Sequence, residues 1–343
     1  MVNDNILLAH GSGGKLSQKL IKELILKYFG NPILNKLDDS ACFGLRSAYA
    51  KASADKIAYT TDSYVVNPIF FPGGDIGKLA ICGTVNDLAM VGAEPKYLTV
   101  AFILEEGFSL ADFEKILHSM KATAQAAQVQ IVAGDTKVVN RGNADKIFIT
   151  TSGIGIIKKG VNISGTNAKV GDKIILSGTI GDHGMAILAQ REDLALKTKL
   201  ESDCAPLNLL VQEMVKVTND IHCLRDPTRG GLASTLNEIA LASNVGIQID
   251  EPAIPVRKEV RGICELLGFD PLYVANEGKL IAFVKSSAAE KVLAIIRNHQ
   301  YGKNAVIIGA VVSKPKKTVL LKTSIGGTRI LDILAGEQLP RIC

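Results

Sequence analysis

The regular alternation of apolar, β-branched runs with amphipathic helical segments is the feature that most constrains the fold of this 343-residue chain. Strand-like runs occupy residues 56–62, 96–104, 129–135, 146–157, 173–178, 279–284 and 305–312. Helical spacing of apolar residues occurs at residues 16–29, 75–95, 109–127 and 287–299, and a strand followed by a helix is predicted over 221–243. Strands that alternate with helices predict an α/β fold built from packed layers.

A Gly- and Asn-rich stretch around residues 160–170 separates two such series and is typical of a linker or turn region. The chain length independently favours two domains. The last residues, 331–343, are expected to form a short helical start and then a loose tail.

Composition excludes several classes of protein. No apolar run approaches the roughly 20 residues that a membrane span needs. The amino terminus lacks a basic region followed by an apolar stretch, so we expect no secretory signal, no membrane partner and a cytoplasmic protein. The net charge of +5 is dispersed, and no stripe of basic residues alternates with aromatic ones, which argues against nucleic-acid binding. The basic residues either form a solvated surface or act locally to hold a small anion.

The six cysteines show no C-x-x-C pair and no zinc-finger spacing. Five are predicted to be small buried hydrophobic residues, namely Cys42, Cys82, Cys204, Cys223 and Cys264. Cys343 differs because it is the last residue and no downstream chain can bury it. Either Cys343 has no role, or its nucleophilic side chain is functional.

Glycine-rich turns offer weak phosphate signals. The stretch "GSGGKLS" (11–17) fails the P-loop template and is interpreted as an entry loop, with closure over a ligand as the alternative. Two other glycine-rich turns, at 178–187 and 225–234, precede predicted helices, whose amino termini suit phosphate. In the second turn, Arg229 could reinforce anion binding.

Carboxylates recur at the predicted ends of strands. Asp62, Asp135 and Asp226 each end or follow an apolar run, and Asp38 and Asp39 follow another apolar stretch. Each aspartate alone is more often a cap or turn residue, but several on one rim repel each other unless a hard cation such as Mg²⁺ lies between them.

Three further residues complete the candidates. Asp87 lies on a small, apolar helix face beside Asn86, and it either coordinates a ligand or bonds to backbone at the sheet edge. Lys137 follows a predicted strand, and Glu277 lies in a turn before one. Near a phosphate site they could act as anion stabiliser and general base, whereas each alone would be an ordinary surface residue.

Several segments together resemble the HypE family of hydrogenase-maturation carbamoyl dehydratases in the AIR synthetase-related (PurM-like) superfamily. These segments are "HGSGGK", "LDDSA", "TTDSYVVNPIFFPGGDIGKLAICGTVNDLAMVGAEP", "GDTKVV", "LRDPTRGGLASTLNEIA", "ANEGKL" and the terminal "GEQLPRIC". The resemblance implies a two-domain PurM-like fold. An ATP-binding and dimerising domain would span 1–163, with an initial loop and helix at 1–36. A second α/β domain would span 164–330, and a mobile tail, 331–343, would carry Cys343.

The resemblance also implies ATP and Mg²⁺ as cofactors. With the candidates taken from the residues themselves, the expected cofactor-binding set is Asp38, Asp39, Asp62, Asn86, Asp87, Asp135, Asp226 and Arg229. The expected metal ligands within it are Asp38, Asp62, Asp87 and Asp135.

The implied activity begins with transfer of a carbamoyl group to Cys343 by the carbamoyltransferase HypF. The S-carboxamide would then be dehydrated to a thiocyanate at the expense of ATP, with Glu277 as base and Lys137 as stabiliser. The cyano group would pass to iron on the HypC–HypD complex for [NiFe]-hydrogenase. One alternative is a non-catalytic carrier that presents Cys343. The other is a different PurM-like ATP-dependent enzyme, but the known enzymes of that kind do not need a terminal cysteine.

Overall fold

The computed structural model describes residues 14–44, 56–191, 199–334, 339 and 341–343. The α-helices are α1 (Lys15–Lys19), α2 (Leu26–Phe29), α3 (Ile76–Met90), α4 (Leu110–Ala126), α5 (Asp182–Arg191), α6 (Asn208–Val217), α7 (Gly231–Ala242), α8 (Lys258–Leu267) and α9 (Ser286–Asn298). The strands are β1 (Ala41–Gly44), β2 (Lys56–Tyr64), β3 (Phe70–Phe71), β4 (Gly74–Asp75), β5 (Glu94–Glu105), β6 (Gln130–Val139), β7 (Ile147–Ile157), β8 (Lys173–Leu176), β9 (Ile221–Arg225), β10 (Gly246–Asp250), β11 (Ile281–Val284), β12 (Val306–Val312), β13 (Thr318–Lys322) and β14 (Thr328–Leu331). A π-helical turn, Leu20–Ile25, joins α1 to α2.

The amino-terminal half is a five-stranded sheet in the order β1-β2-β7-β5-β6, with α3 and α4 packed on one face. Only β5 and β6 pair in parallel, because α4 carries the chain back across the sheet between them. Ser109 caps α4 and accepts a hydrogen bond from the Asp112 N–H at 3.3 Å.

The carboxyl-terminal half is a seven-stranded sheet in the order β14-β13-β10-β12-β8-β11-β9. Helix α7 packs over β10 and β13, and α9 packs over β8 and β11. Strand β11 is buried at all of its positions, as expected for a strand covered on both faces.

Helix α3 joins the two halves. It is buried on nearly every side because the sheet lies on one side and α6 and β9 on another. Asn86 on α3 donates to the Ala205 carbonyl at 3.1 Å and accepts from the Leu207 N–H at 2.7 Å. Gln212 on α6 donates to the Ala93 carbonyl at 2.9 Å. These hydrogen bonds fix the two sheets relative to each other, and the candidate active site lies between them.

The α/β class and most of the predicted elements are confirmed, with three corrections. Asp62 and Asp135 lie inside β2 and β6 rather than at the ends of those strands. The helical start predicted for the tail is wrong, since residue 331 ends β14 and residues 332–334 are not helical. The glycine loop of residues 10–13 lies outside the described residues.

Four of the five cysteines predicted to be buried are buried, and Cys42 is only half-buried. No helix within the described ranges has both the length and the apolar character that crossing a membrane requires.

Candidate active site

A cluster of three carboxylates lies where the two sheets meet. Asp39 precedes β1, Asp87 is on α3 and Asp226 follows β9. One oxygen from each lies within 4.8 Å of the others. The Thr60 hydroxyl donates to Asp87 at 2.9 Å, and Arg225 forms an ion pair with Asp39. Local packing therefore aims three acidic side chains at one point.

The carboxylates in this cluster are not stable as bare anions. Burial, followed by the charges of Asp226, Asp39 and Asp62, raises the pKa of Asp87 well above its ordinary value. Burial also raises the pKa of Asp39 to about 8, although Arg225 opposes the shift, and that of Asp226 to about 6. A divalent cation would relieve this repulsion, and an all-oxygen set fits Mg²⁺.

Two members of the cluster, Asp39 and Asp226, line a cleft of about 800 Å³ together with Arg225 and Arg229, and these charged residues form what we call its charged end. Its other walls are largely apolar and include Ile33, Leu34, Leu37, Ile239 and Leu241. A cleft with an apolar wall and a charged end has the character of a nucleotide site, where the base and the phosphates need different surroundings.

The glycine-rich turn that carries Arg229 forms part of this charged end. Helix α7 begins at Gly231, whose φ of +61° lies in the left-handed region. A Cβ there would lie 2.7 Å from the carbonyl oxygens of Leu272 and Val274. Glycine is therefore required for this close approach of two backbone segments.

The carboxyl terminus of the chain lies next to Arg229, which lines the charged part of this cleft. Cys343 is half-buried beside Arg229, Glu277 and Asp62. Burial of the thiol is the largest influence and raises its pKa to about 12, while the Arg229 charge acts in the opposite direction. The docked thiol is therefore protonated and weakly nucleophilic.

Glu277 lies close to this thiol and is only 3% exposed. Its Oε1 atom has no hydrogen-bond partner among the residues that the structure describes. Burial, and then the charges of neighbouring groups including Asp226 and Asp203, raise its pKa well above the ordinary value. In its ionised form, a carboxylate with a raised pKa is a stronger base than usual and can accept a proton from a ligand atom placed against the free Oε1.

Two of the predicted cofactor-binding residues use their side chains in hydrogen bonds within the chain, although Asp38 also lines the cleft. Asp38 accepts hydrogen bonds from the Ser164 hydroxyl at 2.8 Å and the Gly165 N–H at 2.8 Å, so it ties the linker to the amino-terminal half. Asn86 is buried and uses its amide to hold backbone.

Asp135 and Lys137 do not reach the cluster. Asp62 on β2 and Gly134 on β6 lie at the same height in the sheet. Their backbones are three strand spacings apart, which corresponds to about 14 Å. Asp62 faces the helices, whereas Asp135 lies on the opposite, exposed face and pairs with Lys137 at 2.9 Å. Of the four predicted metal ligands, only Asp87 belongs to the three-carboxylate cluster, and Asp39 and Asp226 complete it instead.

Sequence reasoning missed two supporting residues. Asp203 accepts hydrogen bonds from the Glu277 N–H at 3.1 Å and from Lys279 Nζ at 3.0 Å, and so holds the turn that carries Glu277. His183 contacts the Ile342 carbonyl at 2.7 Å. His183 lies in a glycine-rich turn that the sequence already singled out, whereas no local pattern distinguishes Asp203.

Two family models match the chain. The model described as AIR synthase related protein, N-terminal domain, matches residues 37–157, and the corresponding C-terminal domain matches residues 169–322.

Known proteins resemble the chain over nearly its full length. A curated relative from Azotobacter vinelandii named carbamoyl dehydratase HypE is 50% identical over 99% of this chain and 98% of its own length. The protein of the same name from Escherichia coli K12 is 48% identical over 99% of this chain and 100% of its own length.

Solved structures give the same result. A HypE structure in complex with ATP is 49% identical, covers 99% of this chain and 100% of its own, and superposes with a TM-score of 0.82. A HypE chain from a HypE–HypF complex is 49% identical, covers 92% of this chain and 99% of its own, and has a TM-score of 0.85.

Proposed function

Since the chain belongs to the HypE family of carbamoyl dehydratases within the AIR synthase-related proteins, we propose that it dehydrates an S-carboxamide on its own Cys343 to S-cyanate at the expense of ATP. The observation that carries this proposal is the position of Cys343 within the fold, beside Glu277 and Arg229. A carrier whose only task was to present the cysteine to a partner would not need to place it among these groups.

Dehydration of a carboxamide needs a better leaving group than hydroxide. The γ-phosphoryl group of ATP passes to the carboxamide oxygen, so that phosphate becomes the leaving group. The nitrogen loses one proton to give a phosphorylated imidate. It loses the second proton as the C–O bond breaks, and the carbon–nitrogen triple bond forms. The products are the S-cyanate, ADP, phosphate and the two protons released from nitrogen.

The residues of the cleft suit these steps. We assign Glu277 as acceptor of one nitrogen proton, because its carboxyl group is buried, unpartnered among the described residues and close to the sulfur. Arg229 lies beside the terminal cysteine, where its charge would attract the phosphoryl oxygens. Asp39, Asp87 and Asp226 would hold Mg²⁺, which supplies neutralisation of phosphate charge.

Lys137 needs a different account, because it lies on the outer face of the five-stranded sheet. That face exposes apolar side chains in neighbouring strands, among them Tyr59, Tyr97, Ile103 and Ile154. A large exposed apolar patch is typical of an association surface. We propose a homodimer through this face, in which Lys137 and Asp135 would act at the interface.

We propose HypF as the donor of the carbamoyl group, which is consistent with the structure of a related HypE in complex with HypF. The HypC–HypD complex is proposed as acceptor of the cyano group.

Intact-mass measurement of the full chain tests the reaction. Incubation with HypF and carbamoyl phosphate should add a carbamoyl group to the terminal peptide. Addition of ATP should then remove the mass of one water. A carbamoyl adduct that persists with ATP would favour the carrier function instead.

A Glu277→Gln variant assigns the base. It should bind ATP and accept the carbamoyl group but keep the adduct intact. Undiminished water loss in this variant would remove Glu277 from the mechanism.

A further inference from the structure

The last residues of the chain run antiparallel to residues 65–67 and bond to their backbone. The Val65 N–H donates to a Cys343 carboxylate oxygen at 3.2 Å, and the Asn67 N–H donates to the Arg341 carbonyl at 3.2 Å. Alternate residues pair while the two segments run in opposite directions, which is the pattern of antiparallel strand addition. Since β2 ends at Tyr64, the tail pairs with the segment that continues directly from this strand.

Side-chain hydrogen bonds also hold the segment 341–343. Arg191, at the end of α5, donates to the carbonyl oxygens of both Asn67 and Arg341, and so bridges the two paired segments. Arg341 itself pairs with Asp145 at 2.6 Å and donates to the Val65 carbonyl at 2.9 Å.

His183 holds the central residue of the tail. Its Nε2 lies 2.7 Å from the Ile342 carbonyl oxygen, which can only accept, so Nε2 carries the hydrogen. Its Nδ1 lies 2.8 Å from the Ser202 hydroxyl, which donates to it. The Ile342 side chain is 3% exposed and packs in the core of the amino-terminal half.

We propose that His183 and Arg191 are positioning residues that hold Cys343 at Glu277 and control its release from the cleft. We call the group formed by Val65, Asn67, Asp145, His183 and Arg191 the tail dock. The dock binds mainly backbone atoms, so it holds the segment whether the sulfur is free or carries a one-carbon group. The inference has two parts. The reaction half, that the dock holds Cys343 at Glu277 for dehydration, rests on the proposed function. The release half, that the dock controls the exposure of Cys343, does not.

The strength with which the dock holds the tail affects two tasks of Cys343, namely reaction in the cleft and contact with partners. A tail that is held tightly presents its sulfur to the cleft for longer, and a tail that is held loosely exposes the sulfur to reagents and partners. Because docked and released states exchange, weakening one buried hydrogen bond should shift their ratio by about tenfold. The two tasks should therefore change in opposite directions when the dock is altered.

The release half is tested on the full-length, unmodified chain by alkylation with iodoacetamide. The rate at Cys343 is read from the mass of the terminal peptide. We expect His183→Ala to raise this rate by up to about tenfold, because the Ile342 carbonyl loses its donor. His183→Gln should stay near the wild-type rate, because its amide can donate from the Nε2 position.

Arg191→Lys provides an independent variant, because lysine keeps the charge but cannot form the planar fork to two carbonyls. It should also raise the alkylation rate several-fold, and it decides the question if His183→Ala fails to fold. ATP binding and the unfolding temperature should match wild type, which separates tail release from general unfolding. Equal alkylation of Cys343 in the folded variants and in the wild type would overturn the proposal.

The reaction half uses the carbamoylated chain and ATP in a single turnover. Because alkylation and water loss both follow from one ratio of docked to released tail, the factor by which alkylation rises and the factor by which water loss slows should multiply to about ten in His183→Ala, whereas both rates should stay near wild type in His183→Gln. A product near one in the folded His183→Ala variant would overturn the positioning role. If the wild type itself loses no water, the proposed function fails, while the alkylation result still decides the dock.

Discussion

Burial raises the pKa of single carboxyl groups near the site. Glu277 has a pKa well above its ordinary value, so the native state binds its proton more tightly than the unfolded chain does. Its contribution to stability is therefore fully present at acidic pH, below the unfolded pKa, and is lost as pH rises toward the native pKa.

This linkage predicts a specific effect of Glu277→Gln, which mimics the neutral carboxyl group. The free energy of unfolding of the variant should exceed that of the wild type increasingly as pH rises from about 5 to 8. Urea denaturation at several pH values measures the difference. A difference that is constant with pH would mean that Glu277 titrates normally.

Loss of the Arg229 charge should slow the alkylation of Cys343, whereas loss of a contact in the tail dock should speed it up. Its charge lowers a Cys343 pKa that burial has raised to about 12. Arg229→Gln should therefore raise that pKa further and slow alkylation of Cys343 several-fold at a pH of about 9. Arg229→Lys, which keeps the charge, is the matched control. The alkylation rate is followed against pH, and faster alkylation in Arg229→Gln would mean that the arginine acts by holding the tail instead.

The sequence could indicate residues whose chemistry is evident locally. Cys343 is conspicuous because it is terminal, and Glu277 because it lies in a glycine-containing turn before a strand. Asp203 and His183 could not be found in this way. Their partners, Glu277 and Ile342, are distant in sequence and meet them only in the folded chain.

At the scale of elements, the turn between β9 and α7 is the most demanding connection in the cleft. Gly231→Ala should destabilise the protein by about 1–3 kcal/mol, because the residue has a positive φ and no room for a Cβ. It should also weaken ATP binding by displacing the adjacent Arg229. Chemical denaturation and ATP titration check the two effects.

Gly262→Ala is the control for that substitution. Gly262 lies within α8, and a Cβ added to it would meet no atom of the described residues within 4 Å outside its own helical turn. Alanine there should stabilise the helix by up to about 1 kcal/mol. Equal effects of the two substitutions would show that the turn geometry does not matter.

The positions of strands were predicted better than their faces and ends. Asp62 and Asp135 were expected at strand ends, because a charged residue usually stops an apolar run. In the structure both strands continue beyond the aspartate, and the two side chains lie on opposite faces of the sheet. Which face is covered depends on where α3 and α4 pack, and strand pattern alone does not specify that.

For the whole molecule, alternation of strands and helices and a Gly/Asn-rich break were enough to indicate two α/β halves. The docked tail was not predictable, since Arg341 bonds to Val65 and Asp145, which are far from it in sequence. These bonds need the folded amino-terminal sheet, and the bond from Arg191 to the Arg341 carbonyl also needs α5, so the resting position of the tail is a property of the complete fold.

The outer face of the five-stranded sheet gives the last prediction. Tyr97 on β5 is 49% exposed amid other apolar side chains, and a charged residue there would have to be desolvated in a packed interface. Tyr97→Glu should therefore convert the proposed homodimer to monomer in sedimentation at micromolar concentration. Ile325→Glu is the control, because Ile325 is 94% exposed in the turn between β13 and β14, away from this face. If Lys137 acts at the interface, the carbamoylated Tyr97→Glu variant should lose water more slowly than the Ile325→Glu control. A wild-type chain that sediments as a monomer would contradict the association surface, and a monomeric variant with full activity would confine Lys137 to a structural role.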